Sequence, residues 1–228
     1  MMAPQSAIAD KVLTFNTTGK SPLNNAQQTG FMDEVSREAF RRIGYKIKTV
    51  QLPAERGLRN VNAGIDDGEM SRIAGLNKSY PNLLQVPEKI MDWEFVVFSS
   101  VPISLDNGWS ALDNKTVSFL NGWKIFERNV PETANILKVQ NAEQLFALLK
   151  KNRTDYVLYE KWSGLLIIKN QQLSNIRLRH PALAKKEMFL YLHKKHKALI
   201  PQLSSALKQM KEDGSYNRIF NKVLKPLQ

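Results

Sequence analysis

Segments typical of strands and of helices alternate along this chain in two separate sets, and this order limits the possible folds. The first set has strands and helices at 12–15, 32–43, 45–52 and 53–64. The second set has strands at 116–120, 136–139 and 156–159, with helices after Gly122 and Asn141. Strands that alternate with helices usually pair in parallel within an α/β sheet. We therefore predict an α/β fold with two mixed sheets flanked by helices.

Two further strands, at 95–98 and 188–192, separate the second set from the rest of the chain. A chain that leaves one lobe along one extended strand and returns along another produces this order. The prediction is a discontinuous lobe 1 over 1–97 and 193–228, with lobe 2 over 98–192 inserted into it. No run approaches 18 apolar residues, so the sequence predicts no membrane-spanning helix.

The C-terminal segment predicts a helical hairpin and contains the most recognisable sequence motif of the chain. An amphipathic helix ends at Gly214, where a left-handed cap is expected, and Ser215 is placed to cap the next helix. The pattern LxxALxxMKxDGSYxxIF resembles the last two helices of the bacterial extracellular solute-binding proteins of family 3. Three further segments resemble that family in the same order: GFMDEVSREAFRRIGY at 30–45, DNKTV at 113–117 and RTDYVLYE at 153–160.

This resemblance, which covers 13–220, implies the two-lobed type II fold of periplasmic binding proteins, with two strands crossing at a hinge. It implies a receptor without enzymatic activity or cofactor that closes over a small polar solute, amino-acid-like or bearing a carboxylate. The implied partners are that small molecule and an inner-membrane ABC permease or a sensor protein. A monomer is expected. A sensing or interaction domain of a signalling system remains an alternative, as does a dehydratase-like enzyme that uses Glu69 or Glu160 as an acid.

The N-terminal residues predict export. Ala7-Ile8-Ala9 has the small-x-small form of a signal-peptidase site, and structured sequence is expected to begin after it at Lys11. We therefore expect a periplasmic protein whose signal peptide has been removed. The alternative is a flexible polar N-terminus on a cytosolic protein.

Residues of the kind that enzymes and metal sites need are scarce. No nucleophile elbow and no glycine-rich phosphate loop is present, and cysteine is absent. Of the three histidines, His193 and His196 could share a helical face, but no third ligand is evident, so we predict no metal site. The net charge of +12 comes from scattered lysines without a nucleic-acid-binding motif, so we predict a solvated basic surface and no nucleic acid partner.

In lobe 1, the first turn of the second helix is the first candidate for ligand binding. Glu55 suits the positive end of a helix there, whereas Arg56 does not. Arg56 is therefore predicted to grip a carboxylate or phosphate, and a surface ion pair with Glu55 or an aspartate is the alternative. Thr17, in the polar loop after the first strand, is also predicted to contact the ligand.

Glu69 and Arg72 form the second candidate in lobe 1. The resemblance implies an arginine that clamps the carboxylate of the ligand, although Arg72 comes earlier than the family arginine and lacks its T-x-x-R context. Alternatively, Glu69 and Arg72 pair with each other for structural reasons. The neighbouring Asp66 is predicted to lie in a solvated turn or at a strand start.

In lobe 2, the amides at Gly122 open a helix and suit an anionic ligand group. Trp123 is predicted either to stack on the ligand or to pack in the core, and Trp93 is a weaker candidate of the same kind. The resemblance assigns Glu160 to the position of an aspartate that holds the amine of the ligand.

Overall fold

The computed structural model describes residues 12–228, so the predicted cleavage motif at Ala7–Ala9 lies outside the described residues. The chain divides into two compact units. Unit 1 extends to Met91 and resumes over Glu187–Pro226, and unit 2 comprises Asp92–Lys186 with the last two residues. Within residues 12–228, no helix is long and apolar enough to cross a membrane.

Unit 1 is a mixed sheet with helices. Its elements are β1 (Val12–Thr17), α1 (Phe31–Arg42), β2 (Lys46–Gln51), α2 (Ala54–Asn62), β3 (Gly68–Arg72), β4 (Leu83–Gln85), the second half of β9 (Arg177–His193), α6 (Ile200–Glu212) and α7 (Ser215–Val223). The strand order is β2-β1-β3-β9, and β4 also pairs with β9. β1 runs parallel to β2 and β3, whereas β9 is antiparallel to β3. The carboxyl ends of β1 and β3 therefore lie at the same edge of the sheet.

The C-terminal hairpin packs on α1. The predicted amphipathic helix is α6, and its buried residues recur at three- and four-residue steps: Leu203, Ala206, Leu207 and Met210. Phe31 on α1 has its ring centroid 5.3 Å from that of Tyr216 and 6.1 Å from that of Phe220. These contacts anchor the last helices to the sheet domain of unit 1.

The turn between α6 and α7 confirms one prediction and corrects another. Gly214 has φ 76°, the left-handed conformation that the sequence predicted. Gly214 is itself the N-cap of α7, however, so the predicted capping role of Ser215 is wrong. Because the helix already begins at Ser215, the hydroxyl of that residue faces back and donates to the carbonyl oxygen of Met210 at 3.3 Å.

Unit 2 repeats the mixed-sheet plan. It contains β5 (Met91–Ser99), β6 (Thr116–Leu120), α3 (Lys124–Asn129), β7 (Asn135–Val139), α4 (Ala142–Lys150), β8 (Tyr156–Glu160), α5 (Lys161–Asn170) and the first half of β9. The strand order is β9-β5-β8-β6-β7, with β6 parallel to β7 and β8. A helix was predicted after Asn141, and this residue is the N-cap of α4: its side chain accepts the Gln144 N–H at 2.9 Å.

Two apolar layers cover the faces of the unit 2 sheet. Phe95 and Val97 of β5 belong to one layer, whereas Val96 and Phe98 belong to the other, because successive strand residues point to opposite faces. Phe126 is fully buried at the centre of the first layer. This two-faced burial explains the continuous apolar run at 95–98.

Candidate functional site

Glu69, the second residue of β3, and Arg72, its last residue, lie next to each other. Arg72 Nη2 is 3.0 Å from Glu69 Oε1, and the side chains are 15% and 0% exposed. Residues three apart in a regular strand point to opposite faces, but the register of β3 against β9 shifts between these two residues. The irregularity turns both side chains to the same side and confirms the predicted structural pairing.

A polar cluster extends from this pair beneath α2. We call Asn16, Asp66, Glu69 and Arg72 the α2 polar cluster. Asn16 is the backbone partner of Glu69 between β1 and β3, and its Nδ2 donates to Gly57 O at 3.0 Å and to Asp66 Oδ2 at 2.9 Å. These bonds tie the first turns of α2 to the sheet.

Asp66 belongs to this cluster, so the prediction that it is solvated is wrong. Asp66 is buried, and its Oδ2 accepts hydrogen bonds from Asn16 and from Asn60 Nδ2 at 3.0 Å. Because α2 packs over the start of β3, the carboxylate is enclosed and receives amide donors instead of water.

Several polar atoms in the α2 polar cluster have no hydrogen-bond partner among the described residues: Asn16 Oδ1, Glu69 Oε1 and Oε2, and Arg72 Nε. Burial raises the pKa of the Glu69 carboxyl to about 8, against the opposing effect of Arg72, and the charge of Asp66 adds to the rise. The cluster therefore holds a carboxyl group that binds its proton unusually tightly.

Gly57 of α2 makes the close approach of the helix possible. A Cβ at this position would lie 2.5 Å from Asn16 Oδ1 and 2.9 Å from Glu69 Oε2. Both distances are shorter than side chains tolerate, and Asn16 is held by two hydrogen bonds and has little freedom to move. The absence of a side chain at Gly57 is thus a requirement of the cluster.

The Gly57→Ala substitution is expected to destabilise the protein by about 2 kcal/mol, because overpacking a filled interior forces side chains out of their preferred positions. Urea denaturation followed by circular dichroism measures this loss. The control is Arg56→Ala on the exposed side of the same helix, which should change stability by less than about 0.5 kcal/mol. Equal stability of the two variants would contradict the packing argument.

The other predicted residues of unit 1 differ in their surroundings. Glu55 is exposed and accepts hydrogen bonds from Tyr80 Oη at 2.9 Å and Arg59 Nε at 2.8 Å, which lower the pKa of its carboxyl. Arg56 is exposed and forms neither a hydrogen bond nor an ion pair with any residue that the structure describes. Thr17 is buried, and its hydroxyl donates to Asn24 Oδ1 at 3.1 Å and accepts the Gly19 N–H at 2.9 Å.

The predicted anion position at Gly122 in unit 2 is engaged by the protein itself. The Gly122 N–H donates to Glu127 Oε1 at 3.1 Å. Glu127 also receives Lys124 Nζ at 2.7 Å, and these donors, Lys124 first, lower the pKa of its carboxyl to about 2. A ligand anion at this amide would have to displace Glu127.

The aromatic candidates of unit 2 lie in or against its core. Trp123 stacks on Phe126 with centroids 5.6 Å apart and on Tyr159 at 5.0 Å. Trp93 packs edge-on against Phe95 at 6.4 Å, and its buried Nε1 has no partner among the described residues. These contacts give Trp123 the core position that was one of its two predicted roles.

Glu160 is buried at the N-terminus of α5. Its two carboxylate oxygens accept the N–H groups of Trp162 at 2.9 Å and Ser163 at 2.8 Å. Burial raises the pKa of the Glu160 carboxyl, although these backbone donors oppose the rise. The side chain therefore has a defined structural task as the cap of α5.

Comparisons with known proteins place this geometry in context. No family model matches the chain. An uncharacterised protein of Shewanella oneidensis is 24% identical over 187 residues, which cover 79% of this chain and 70% of that protein. Among solved structures, the GluR0 ligand-binding core in complex with L-glutamate superposes with a TM-score of 0.79 at 13% identity, covering 95% of this chain and 99% of that one. Its fold is that of the type II periplasmic binding proteins.

Two further structures with the binding-protein fold differ in their roles. A histidine kinase sensor domain with similarity to periplasmic binding proteins has a TM-score of 0.70 and 15% identity, covering 95% of this chain and 96% of its own. The substrate-binding protein of an amino acid ABC transporter has a TM-score of 0.67 and 17% identity, covering 94% and 99%. The GluR0 core and the ABC transporter component are solute-binding proteins of family 3, which the sequence resembles.

The sequence reading missed two polar groups in this binding-protein fold. The first strand was predicted to end at residue 15, but Asn16 and Thr17 both lie within β1, so the prediction that Thr17 is in a loop is wrong. The carboxylate partner of His196 was also missed: Nε2 lies 2.7 Å from Asp67 Oδ1, which Lys195 Nζ contacts at 2.8 Å. No group of three metal-ligating side chains occurs within the described residues.

Proposed function

We propose that this protein binds a small polar solute with a carboxylate group, such as an amino acid, and does not transform it. The observation that carries the proposal is the position of Arg72 at the carboxyl end of β3. Thr17 ends the parallel strand β1, and the Leu52 N–H that leads into α2 donates to Thr17 O at 3.0 Å. In open α/β sheets, ligands bind outside the carboxyl ends of the strands, so these residues define the ligand side of unit 1.

The chemistry at this edge favours an anionic group. Arg72 is partly exposed; its Nη2 donates to Ala54 O at 3.2 Å, and the guanidinium has further donors for charge-assisted hydrogen bonds with a carboxylate. The N-cap of α2, Pro53, provides no side-chain hydrogen bond, and the exposed Arg56 lies in the first turn of the same helix. The helix dipole and two guanidinium groups thus provide positive potential for a carboxylate.

In this proposal, Trp93, Trp123, Gly122 and Glu160 of unit 2 are further candidate contacts of the solute. A solute anion at the Gly122 N–H would displace Glu127, and Glu160 would have to release the backbone N–H groups at the start of α5. Neighbours with this fold include an ABC transporter component and a kinase sensor domain, so the solute would be handed to a permease or sensed in the periplasm.

Two features support binding over catalysis. Glu69 and Glu160, the acids that an enzyme of this type would use, are both fully or almost fully buried. Glu160 has both oxygens bound to backbone N–H groups, which leaves it poorly placed to transfer protons.

A thermal unfolding screen tests the proposed function. We expect at least one amino acid or organic acid to raise the melting temperature, since a solute at 100 times its Kd stabilises the folded state by about 2.7 kcal/mol. Polyamines, which lack a carboxylate, serve as the matched class that should have no effect. Titration calorimetry then gives the affinity of each positive solute. A panel without any stabilising carboxylate would overturn the proposal.

A further inference from the structure

The hydrogen bonds of Asn16 determine which way its amide points. Nδ2 donates to two acceptors, Gly57 O and Asp66 Oδ2, at 3.0 and 2.9 Å. A flipped amide would present its oxygen to both acceptors, so the orientation is fixed. The amide oxygen Oδ1 therefore lies on the side of the cluster that faces the Glu69 carboxyl group, where it has no donor among the described residues.

Two acceptor oxygens consequently share one enclosed space. Asn16 Oδ1 and Glu69 Oε2 lie within 2.5 and 2.9 Å of the same point, the position of a Cβ on Gly57. Both residues are 0% exposed, so neither oxygen is in contact with bulk water. An ionised carboxylate here would have Arg72 Nη2 3.0 Å from Oε1, but its Oε2 would lie beside an amide oxygen with no donor between them, and burying an acceptor without a donor is costly.

We propose that Glu69 is a neutral carboxylic acid at neutral pH, that its proton is directed to Asn16 Oδ1, and that Arg72 thereby keeps its positive charge for the ligand. A protonated carboxyl supplies the O–H donor that this space lacks. The inference rests on the proposed function for the role of Arg72, but the protonation of Glu69 stands on the geometry alone.

The charged groups around Glu69 are few. Arg72 of β3 favours its ionised form, although the 3.0 Å contact leaves Oε1 without an aligned hydrogen bond. Asp66, before β3, disfavours a second negative charge, and the raised pKa agrees with this balance. Glu55 of α2 acts on Arg72. Tyr191 is the backbone partner of Glu69 on β9, and its hydroxyl donates to Ile73 O.

Ligand binding should therefore be linked to one proton. When Glu69 ionises, its charge compensates Arg72 inside the protein and repels the carboxylate of the solute. If the protonated form alone binds, a pKa of about 8 makes the Kd rise about tenfold between pH 7 and pH 9. The protein would hold an anionic solute more tightly in a neutral or acidic medium than in an alkaline one.

The Glu69→Gln variant tests the protonation without any ligand. Glutamine has an amide donor where the acid has its O–H, so the variant should fold and keep the bond to Asn16 Oδ1. Folding raises the pKa of Glu69 from its ordinary value of 4.5 to about 8. Between about pH 5 and 8, the folded wild type therefore keeps a proton that the unfolded chain has already released. Its unfolding constant should therefore rise about tenfold per pH unit in that window relative to the variant.

Difference infrared spectroscopy gives a second, direct readout. The carbonyl band of a protonated carboxyl should be present in the wild type at pH 7, disappear by pH 10 and be absent from Glu69→Gln at both values. If Glu69 is instead ionised and held by Arg72, the band is missing at pH 7 and the variant is less stable than the wild type throughout. That result would overturn the inference.

The third experiment measures the Kd at several pH values for each carboxylate that binds in the thermal unfolding screen, beginning with L-glutamate. Its Kd should rise about tenfold from pH 7 to pH 9 in the wild type and stay constant in Glu69→Gln. A pH-independent Kd in the wild type contradicts the link to Arg72. If no carboxylate binds, the proposed function fails, whereas the infrared and unfolding experiments still decide the protonation of Glu69.

Discussion

Replacing Arg72 by alanine should lower the affinity for a carboxylate-bearing solute about 100-fold. A hydrogen bond to a charged group contributes about 1.5–3 kcal/mol, and every 1.4 kcal/mol corresponds to a tenfold change in Kd. Paired guanidinium–carboxylate bonds lie at the upper end of this range. Titration calorimetry at pH 7, with circular dichroism to verify folding, measures the effect.

Arg59→Ala is the matched control for this prediction. Arg59 lies on the neighbouring helix α2, is 75% exposed, and pairs with Glu55 at 2.8 Å. This variant removes one positive charge from the same unit but leaves the carboxyl end of β3 unchanged. The affinity for the solute should therefore change less than about threefold, as expected for an exposed pair. Equal losses in both variants would show that Arg72 acts only through the overall charge.

The Phe126→Ala substitution should destabilise the protein by about 4 kcal/mol. Phe126 is fully buried, and its ring lies 5.6–5.7 Å from those of Phe95, Phe119 and Trp123. Truncating such a residue removes its burial and leaves a cavity that the β-sheet cannot close, at a typical cost of 3–5 kcal/mol. Urea denaturation monitored by tryptophan fluorescence reports on this layer, because Trp123 packs against it.

Val101→Ala in unit 2 provides the comparison. Val101 is 42% exposed, so losing two methyl groups there should cost less than about 1 kcal/mol. A Phe126→Ala variant that is no less stable than Val101→Ala would contradict the central position assigned to the aromatic layer.

The sequence predicted the elements whose apolar residues follow a regular period. The buried runs at 95–98 and 156–159 and the stripe of α6 are examples, because burial on defined faces imposes those patterns. β9 was predicted only over 188–192, although the strand covers Arg177–His193. Its first half is rich in basic, exposed residues, so its strand form depends on pairing with β5 and not on an apolar pattern. The three-residue strand β4 was missed for the same reason.

The candidate site was predictable only in part. The pairing of Glu69 and Arg72 was one of two interpretations of their spacing, but the irregularity of β3 that allows it has no sequence signature. The roles of Asn16 and Gly57 depend on how closely α2 approaches β1, which is a property of packing between distant segments. Local patterns contain no information about such distances.

The discontinuous make-up of unit 1 has a consequence for biosynthesis. Every strand segment of the unit 2 sheet is translated before Glu187–Pro226, which supply the remaining strand and the last helices of unit 1. The inserted unit can therefore reach its native structure during translation, whereas β3 waits with an open edge for its partner. A nascent chain halted near residue 186 should expose that edge to chaperones.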